Sequence, residues 1–151
     1  MKKIVIVISI IFISLIFCGC FKDEVINEFD NTIKIIGDNA LTKDKRLVGE
    51  RIFGVDYYVG TYKVNYKDFS REEILFGGTT IERKNGGIIH TKITIKGDSG
   101  SIKVIARMKG KDIVLGDKNA IYEVDLNVLD GGNFIIVKGD RFSGILKLEI
   151  K

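Results

Sequence analysis

Apolar residues are distributed along this chain in three successive patterns. From Ile4 to Phe17 they form a nearly unbroken run, interrupted only by Ser9 and Ser14, after the positive start Met1-Lys2-Lys3. From Phe21 to Ile36 they recur every three or four residues as Val25, Ile26, Phe29, Ile33 and Ile36, the stripe of an amphipathic helix. Asp23 and Glu24 in its first turn suit the helix dipole, and Gly37 is well placed to end it. Leu41 to Arg46 is a short polar connection. Beyond it the period falls to two.

In that third region Tyr58, Gly60, Tyr62, Val64 and Tyr66 alternate with Val59, Thr61, Lys63 and Asn65. The same alternation runs through Ile89 to Lys96, Ile102 to Met108, Tyr122 to Val128 and Leu146 to Ile150, each a strand with one buried face. Phe53, Leu75-Phe76, Ile113 to Leu115 and Phe134 to Val137 add shorter apolar pieces, for about eight or nine strands. Glycine-containing turns separate them: Asn85-Gly86-Gly87, Asp98-Ser99-Gly100, Lys109-Gly110-Lys111, Asp130-Gly131-Gly132 and Ser143-Gly144. The spacing predicts a mainly β domain over 47–151, an antiparallel jelly-roll-like β-sandwich preceded by one N-terminal amphipathic helix. A small β-barrel is the alternative, because pattern alone does not fix strand order.

The first region is too short for a simple membrane span, which needs about 20 apolar residues. Its basic start and apolar core have the layout of a secretory signal peptide. Phe17-Cys18-Gly19-Cys20, which follows, resembles the lipobox of bacterial lipoproteins, in which a large apolar and then a small residue precede an obligatory cysteine. Phe17 stands where leucine is usual, and Gly19 fits the position before the cleaved bond. The resemblance implies a signal peptide over 1–19 and a diacylglyceryl group on the Cys20 thiol. Residues 20–40 then carry the lipidated cysteine and the helix, 41–46 connect, and 47–151 form the domain. The location this implies is the extracytoplasmic face of the cell membrane. The mature part as a whole looks like that of small bacterial lipoproteins, with no named domain family attached to it.

Loss of residues 1–19 removes Lys2 and Lys3, so the net charge falls from +4 to +2. Lysines and acids are interspersed, which reads as a solvated surface and not a nucleic-acid face. The single remaining thiol is assigned to lipid, so no disulfide is expected. There is no tryptophan to serve as a sugar-stacking platform.

Catalytic equipment is sparse. Gly97-Asp98-Ser99-Gly100 has the form of a serine-protease nucleophile loop, but that chemistry needs a histidine base and an orienting aspartate. The one histidine, His90, lies nine residues upstream on a strand's polar face. Gly77-Gly78-Thr79-Thr80 lacks the lysine of a phosphate loop. Glu72-Glu73 is a carboxylate pair of the kind hydrolases use, without further support. Asp98, Asp117, Asp130 and Asp140 sit in turns and are weak candidates for a calcium site; no other cofactor is indicated. Tyr57, Tyr58, Tyr62 and Tyr66 are the candidate ligand contacts. Alternation places the last three on one face, a core layer if covered and a stacking surface if open, with Tyr57 on the other side.

These features rank a non-enzymatic binding or envelope-interaction domain first. Its partners would be the membrane through the lipid and a cell-wall glycan or envelope protein. An accessory subunit of a membrane complex comes second, and a carboxylate-dependent hydrolase is remote.

Overall fold

A computed structural model of the chain describes residues 40–151. The expected signal segment, Cys20 and the stripe Phe21–Ile36 lie outside the described residues. After a single 3-10 turn at Asp44–Arg46, seven strands follow: β1 (Glu50–Phe53), β2 (Gly60–Phe69), β3 (Glu72–Thr80), β4 (Ile88–Met108), β5 (Lys111–Gly116), β6 (Ala120–Asn127) and β7 (Gly131–Ile150). All pairings are antiparallel.

β4 and β7 are unusually long, at 21 and 20 residues, against about 5–6 for an ordinary strand. They pair with each other almost throughout, yet each serves two half-sheets. The first halves of β4 and the second of β7 join β1, β2 and β6 in the order β1-β2-β7-β4-β6. Their other halves join β3 and β5 in the order β3-β7-β4-β5. Ile89 and Met108, at opposite ends of β4, line the same small cavity, although a straight strand would hold them about 60 Å apart. The two half-sheets are therefore folded face to face, in a sandwich-like arrangement. The path of pairings does not close, so the barrel alternative is not formed.

The folding line runs through Gly97–Ser101 and Asp140–Gly144, where the β4–β7 register shifts twice. Sequence reasoning assigns tight turns here; the structure shows bends within continuous strands. Gly100 and Gly144 have φ of +71° and +144°, and a Cβ on Gly144 would collide with the Lys96 carbonyl. Inside the bend Tyr66 stacks on Phe69 at 4.0 Å and meets Phe142 edge-on at 6.1 Å. A true two-residue hairpin exists at Lys109-Gly110, where both φ values are positive as a type I′ turn requires.

The alternating residues fill the space between the half-sheets. Tyr62, Val64, Tyr66, Ile89, Ile93, Ile95, Leu146, Leu148 and Ile150 come from the wider half, and Leu75, Phe76, Ile102, Val104, Ala106, Ile135 and Val137 from the narrower. The outer face of the narrower half carries a row of Ile74, Ile136, Ile105 and Val114 across its four strands. Arg107 and Glu72, 3.8 Å apart, stand at opposite corners around Ile136. The lead-in Leu41–Gly49 is tied to the side of β3 away from β7, through Thr42 N–H to the Ile74 carbonyl at 3.0 Å and Ile74 N–H to Thr42 Oγ1 at 2.8 Å.

Candidate functional site

The tyrosines do not form a stacking surface. Tyr62 and Tyr66 are buried in the core, Tyr58 precedes β2 and is half-buried against the core, and of the four only Tyr57 is exposed, at 44 %. Of the three tyrosines that alternation places on one face, Tyr62 and Tyr66 share the covered face of β2, and Tyr58 lies outside that strand. Both buried phenols donate to Glu73 Oε2, from Tyr62 at 2.9 Å and from Tyr66 at 3.0 Å. Glu73 Oε1 accepts from Arg71 Nη2 at 2.6 Å and from the Val48 N–H at 3.1 Å. The Gly49 N–H in turn donates to the Tyr62 oxygen at 3.1 Å. Burial holds both phenols well above the ordinary tyrosine pKa, and the neighbouring Glu73 charge adds to the rise. Every oxygen of this carboxylate is occupied by donors that join β2, β3 and the lead-in. It is a structural knot.

Glu72 and Glu73 face opposite ways, Glu73 into the core and Glu72 outward toward Arg107. The pair therefore cannot converge on one substrate. His90 is exposed, its Nδ1 2.5 Å from Asp125 Oδ1 on the next strand. Ser99 lies about 30 Å of extended chain further along β4, so Gly97-Asp98-Ser99-Gly100 has no base beside it. The four turn aspartates scatter. Asp98 and Asp140 flank the folding line, Asp130 pairs with Lys109, and Asp117 leads into β6. Among the described residues no group of three or more histidine, cysteine, aspartate or glutamate side chains is placed to hold a metal ion.

What sequence reasoning missed is a cleft of about 490 Å³ at the far end of the wider half-sheet. Its walls are the β1–β2 loop, through Gly54 and Val55, and the segment entering β4, through Asn85 and Ile88. Val59, Gly60 and Ile150 form the floor, and Thr61, His90, Glu149 and Lys151 stand at the rim. Its volume lies within the usual range for a ligand site, about 300–1,000 Å³. Val55 and Ile88 are 77 % and 61 % exposed.

An ion pair between a buried arginine and a partly exposed aspartate holds the walls together. Asp56 Oδ2 accepts from Arg83 Nε at 2.9 Å and from Asn85 Nδ2 at 3.0 Å, and Oδ1 accepts from the Tyr58 N–H at 3.0 Å. Arg83 Nη1 also donates to the carbonyls of Gly86 at 2.8 Å and Asn85 at 3.3 Å. Burial alone would push the Asp56 carboxyl up. The hydrogen bonds from Asn85, Arg83 and Tyr58, with the Arg83 charge, outweigh it and hold the pKa below the usual carboxylate value. Two loops 27 residues apart are thus tied into one frame.

No family model matches the chain, and no curated protein matches it. Among solved structures it is similar to the pre-peptidase C-terminal domain of a Bacillus anthracis collagenase, at 13 % identity and a TM-score of 0.43, over 68 % of this chain and 99 % of that one. A carbohydrate-binding module of Cellvibrio mixtus lichenase 5A, in complex with cellotriose, gives 13 % identity and a TM-score of 0.36, over 69 % and 86 %. A family 29 carbohydrate-binding module gives 12 % identity and a TM-score of 0.36, over 69 % and 76 %. At this level the likeness carries no statement about ligand or activity.

Proposed function

We propose that the protein is a lipid-anchored extracytoplasmic binding domain without catalytic activity, a jelly roll whose binding site is the cleft between Val55 and Ile88. The half-sheet orders support the jelly-roll reading, because pairs of sequence-distant strands lie side by side in both halves. The anchor rests on Phe17-Cys18-Gly19-Cys20 and on acyl burial worth about 0.8 kcal/mol per methylene, which makes two or three chains a stable tether.

The observation that carries the binding reading is the pairing of exposed aliphatic walls with a clasp built on the buried Arg83. Apolar side chains scattered singly on a surface need no explanation, but two that line the same cleft form a recognition feature. The two leading expectations from sequence, an envelope-binding domain and an accessory subunit, then describe one activity with a macromolecular partner.

The test is site-specific photocrosslinking in the native membrane, with a benzophenone amino acid at Val55 and a control at Ile121, an exposed β6 residue outside the cleft. The expected result is a discrete adduct from position 55, absent at 121 and reduced in a Cys20→Ala background. Mass spectrometry of the same material identifies a diacylglyceryl-cysteine at position 20. No adduct at 55 rejects the cleft, and an unmodified Cys20 rejects the anchor.

A further inference from the structure

Asn85 is the one asparagine of the chain that a glycine follows. An asparagine side-chain amide is open to attack by the main-chain nitrogen of the next residue, and glycine, which has no Cβ, shields that nitrogen least. Asn85 and Gly86 are both exposed, in the turn before β4. Gly86 has φ of +87°, and a Cβ placed on it would meet nothing within 4 Å. The turn therefore leaves room for a ring to close. Other asparagines are less open to this chemistry. Asn127 ends β6 and precedes the β-branched Val128, and Asn119 has both side-chain amide atoms bonded to Gly97, at 2.7 and 2.9 Å.

The same turn carries one side of the clasp. Asn85 Nδ2 donates to Asp56 Oδ2 at 3.0 Å, and the carbonyls of Asn85 and Gly86 accept from Arg83 Nη1. Asn85 is thus a neutral donor placed against a carboxylate. An acid in its place would set a second negative charge where that donor stands. Like charges so close repel, and Asp56 would keep only Arg83 and the Tyr58 N–H.

We propose that Asn85-Gly86 is a site of spontaneous deamidation whose products release the clasp. The Gly86 nitrogen, giving up its proton to water, attacks Asn85 Cγ. The new N–C bond closes a cyclic imide, the Cγ–Nδ2 bond breaks, and the departing nitrogen takes a proton to leave as ammonia. Water then opens the imide at either carbonyl, giving aspartate or isoaspartate. In sum, one amide and one water become one carboxylate and one ammonium ion. Both products are charged at neutral pH. Isoaspartate also lengthens the main chain by one carbon where Arg83 grips it. The wall of Asn85 and Ile88 then parts from that of Val55 and Asp56, in a slow one-way loss of the cleft as the molecule ages. That last consequence rests on the cleft reading above; the deamidation itself does not.

The test is incubation of the full chain in detergent micelles at mildly alkaline pH, followed by peptide mass spectrometry and labelling with an isoaspartyl methyltransferase. The expected result is conversion and methyl labelling at Asn85, with Asn127 unchanged and an Asn85→Gln variant resistant. No conversion at Asn85, or equal conversion at Asn127, overturns the site. An Asn85→Asp variant reads the consequence directly. Amide exchange at Tyr58 should quicken about tenfold, the worth of one hydrogen bond, while Ile93 keeps its protection. Unchanged exchange at Tyr58 overturns the release. If Tyr58 quickens as expected but the parent gives no crosslink from position 55, the cleft reading falls and the deamidation switch of the clasp stands.

Discussion

Two carboxylates in this domain are each met by an arginine, and the difference between them separates stability from recognition. Glu73 lies in the middle of the sandwich and takes its donors from β2, β3 and the lead-in. Asp56 lies at one end and takes its donors from two loops. In the first cluster the carboxylate is buried and its arginine is half exposed; in the second the arginine is 5 % exposed and the carboxylate is partly open. A saturated charge at the centre closes a core. The same chemistry at a rim shapes a cavity while the core beneath it stays apolar.

Removing the central carboxylate should therefore have the largest effect. Glu73→Ala leaves two phenols and the Val48 N–H without their acceptor inside the core, for a loss of about 3–5 kcal/mol. Glu73→Gln keeps the shape and should lose less, about 1–3 kcal/mol. Urea unfolding of both variants with the parent checks the order. If Glu73→Ala costs no more than Asp56→Ala, the contrast between the two clusters is wrong.

The same core makes an alkaline prediction. Tyr62 and Tyr66 have raised pKa values in the folded protein, so folding favours their protonated forms. Their contribution is complete below the unfolded tyrosine value, about 10, and is lost as the pH rises above it. Stability should fall above about pH 10, and the absorbance of these two phenolates should appear together with unfolding. A Tyr62→Phe/Tyr66→Phe double variant should flatten that alkaline slope. Equal slopes in parent and variant would mean that the phenols ionise within the native state.

The strands and the inward face were legible in the sequence because a period of two is a local signal. Ile89, Thr91, Ile93 and Ile95 need no distant information to be placed on one side. The folding line was not legible. Gly97 to Gly100 carries the same turn residues whether the chain reverses or only bends, and β7, some 40 residues later, decides between them. The tyrosine layer was readable only as an alternative, covered or open. Its partner had a faint signal: Glu73 shares the parity of Leu75 and so falls on the apolar side of β3. The cleft had none. Asp56, Arg83 and Asn85 are loop residues without periodicity, brought together only by the completed sandwich.

At the rim the expected loss is smaller. Asp56→Ala should destabilise by about 1–3 kcal/mol, because Arg83 keeps its two carbonyl partners and Asp56 itself is partly solvated. The larger consequence is local, with faster amide exchange expected at Tyr58 and Gly86 than at Ile93. The Asp56 pKa is lowered on folding, so its contribution is complete above about pH 4 and is lost as the pH falls further. Acid should loosen the cleft before it melts the core. If amide exchange below pH 4 rises uniformly over the domain, the clasp is not a separate unit.

The smallest effect belongs to the walls themselves. Val55→Ser lies in a loop and exposes nothing new, so its stability should stay within about 0.5 kcal/mol of the parent. Ile88→Ser gives up strand propensity beside β6 and should cost up to about 1 kcal/mol. Both substitutions leave Asp56, Arg83 and Asn85 in place, so the cleft keeps its frame while losing its apolar faces. Thermal melts of the two variants should nearly overlay that of the parent, whereas the Val55 crosslink partner should no longer be captured when Ile88 is serine. A loss of the adduct with an unchanged melt assigns these side chains to recognition. A large drop in melting temperature would instead make Val55 and Ile88 supports of the fold, and the line drawn here between a stabilising centre and a recognising rim would disappear.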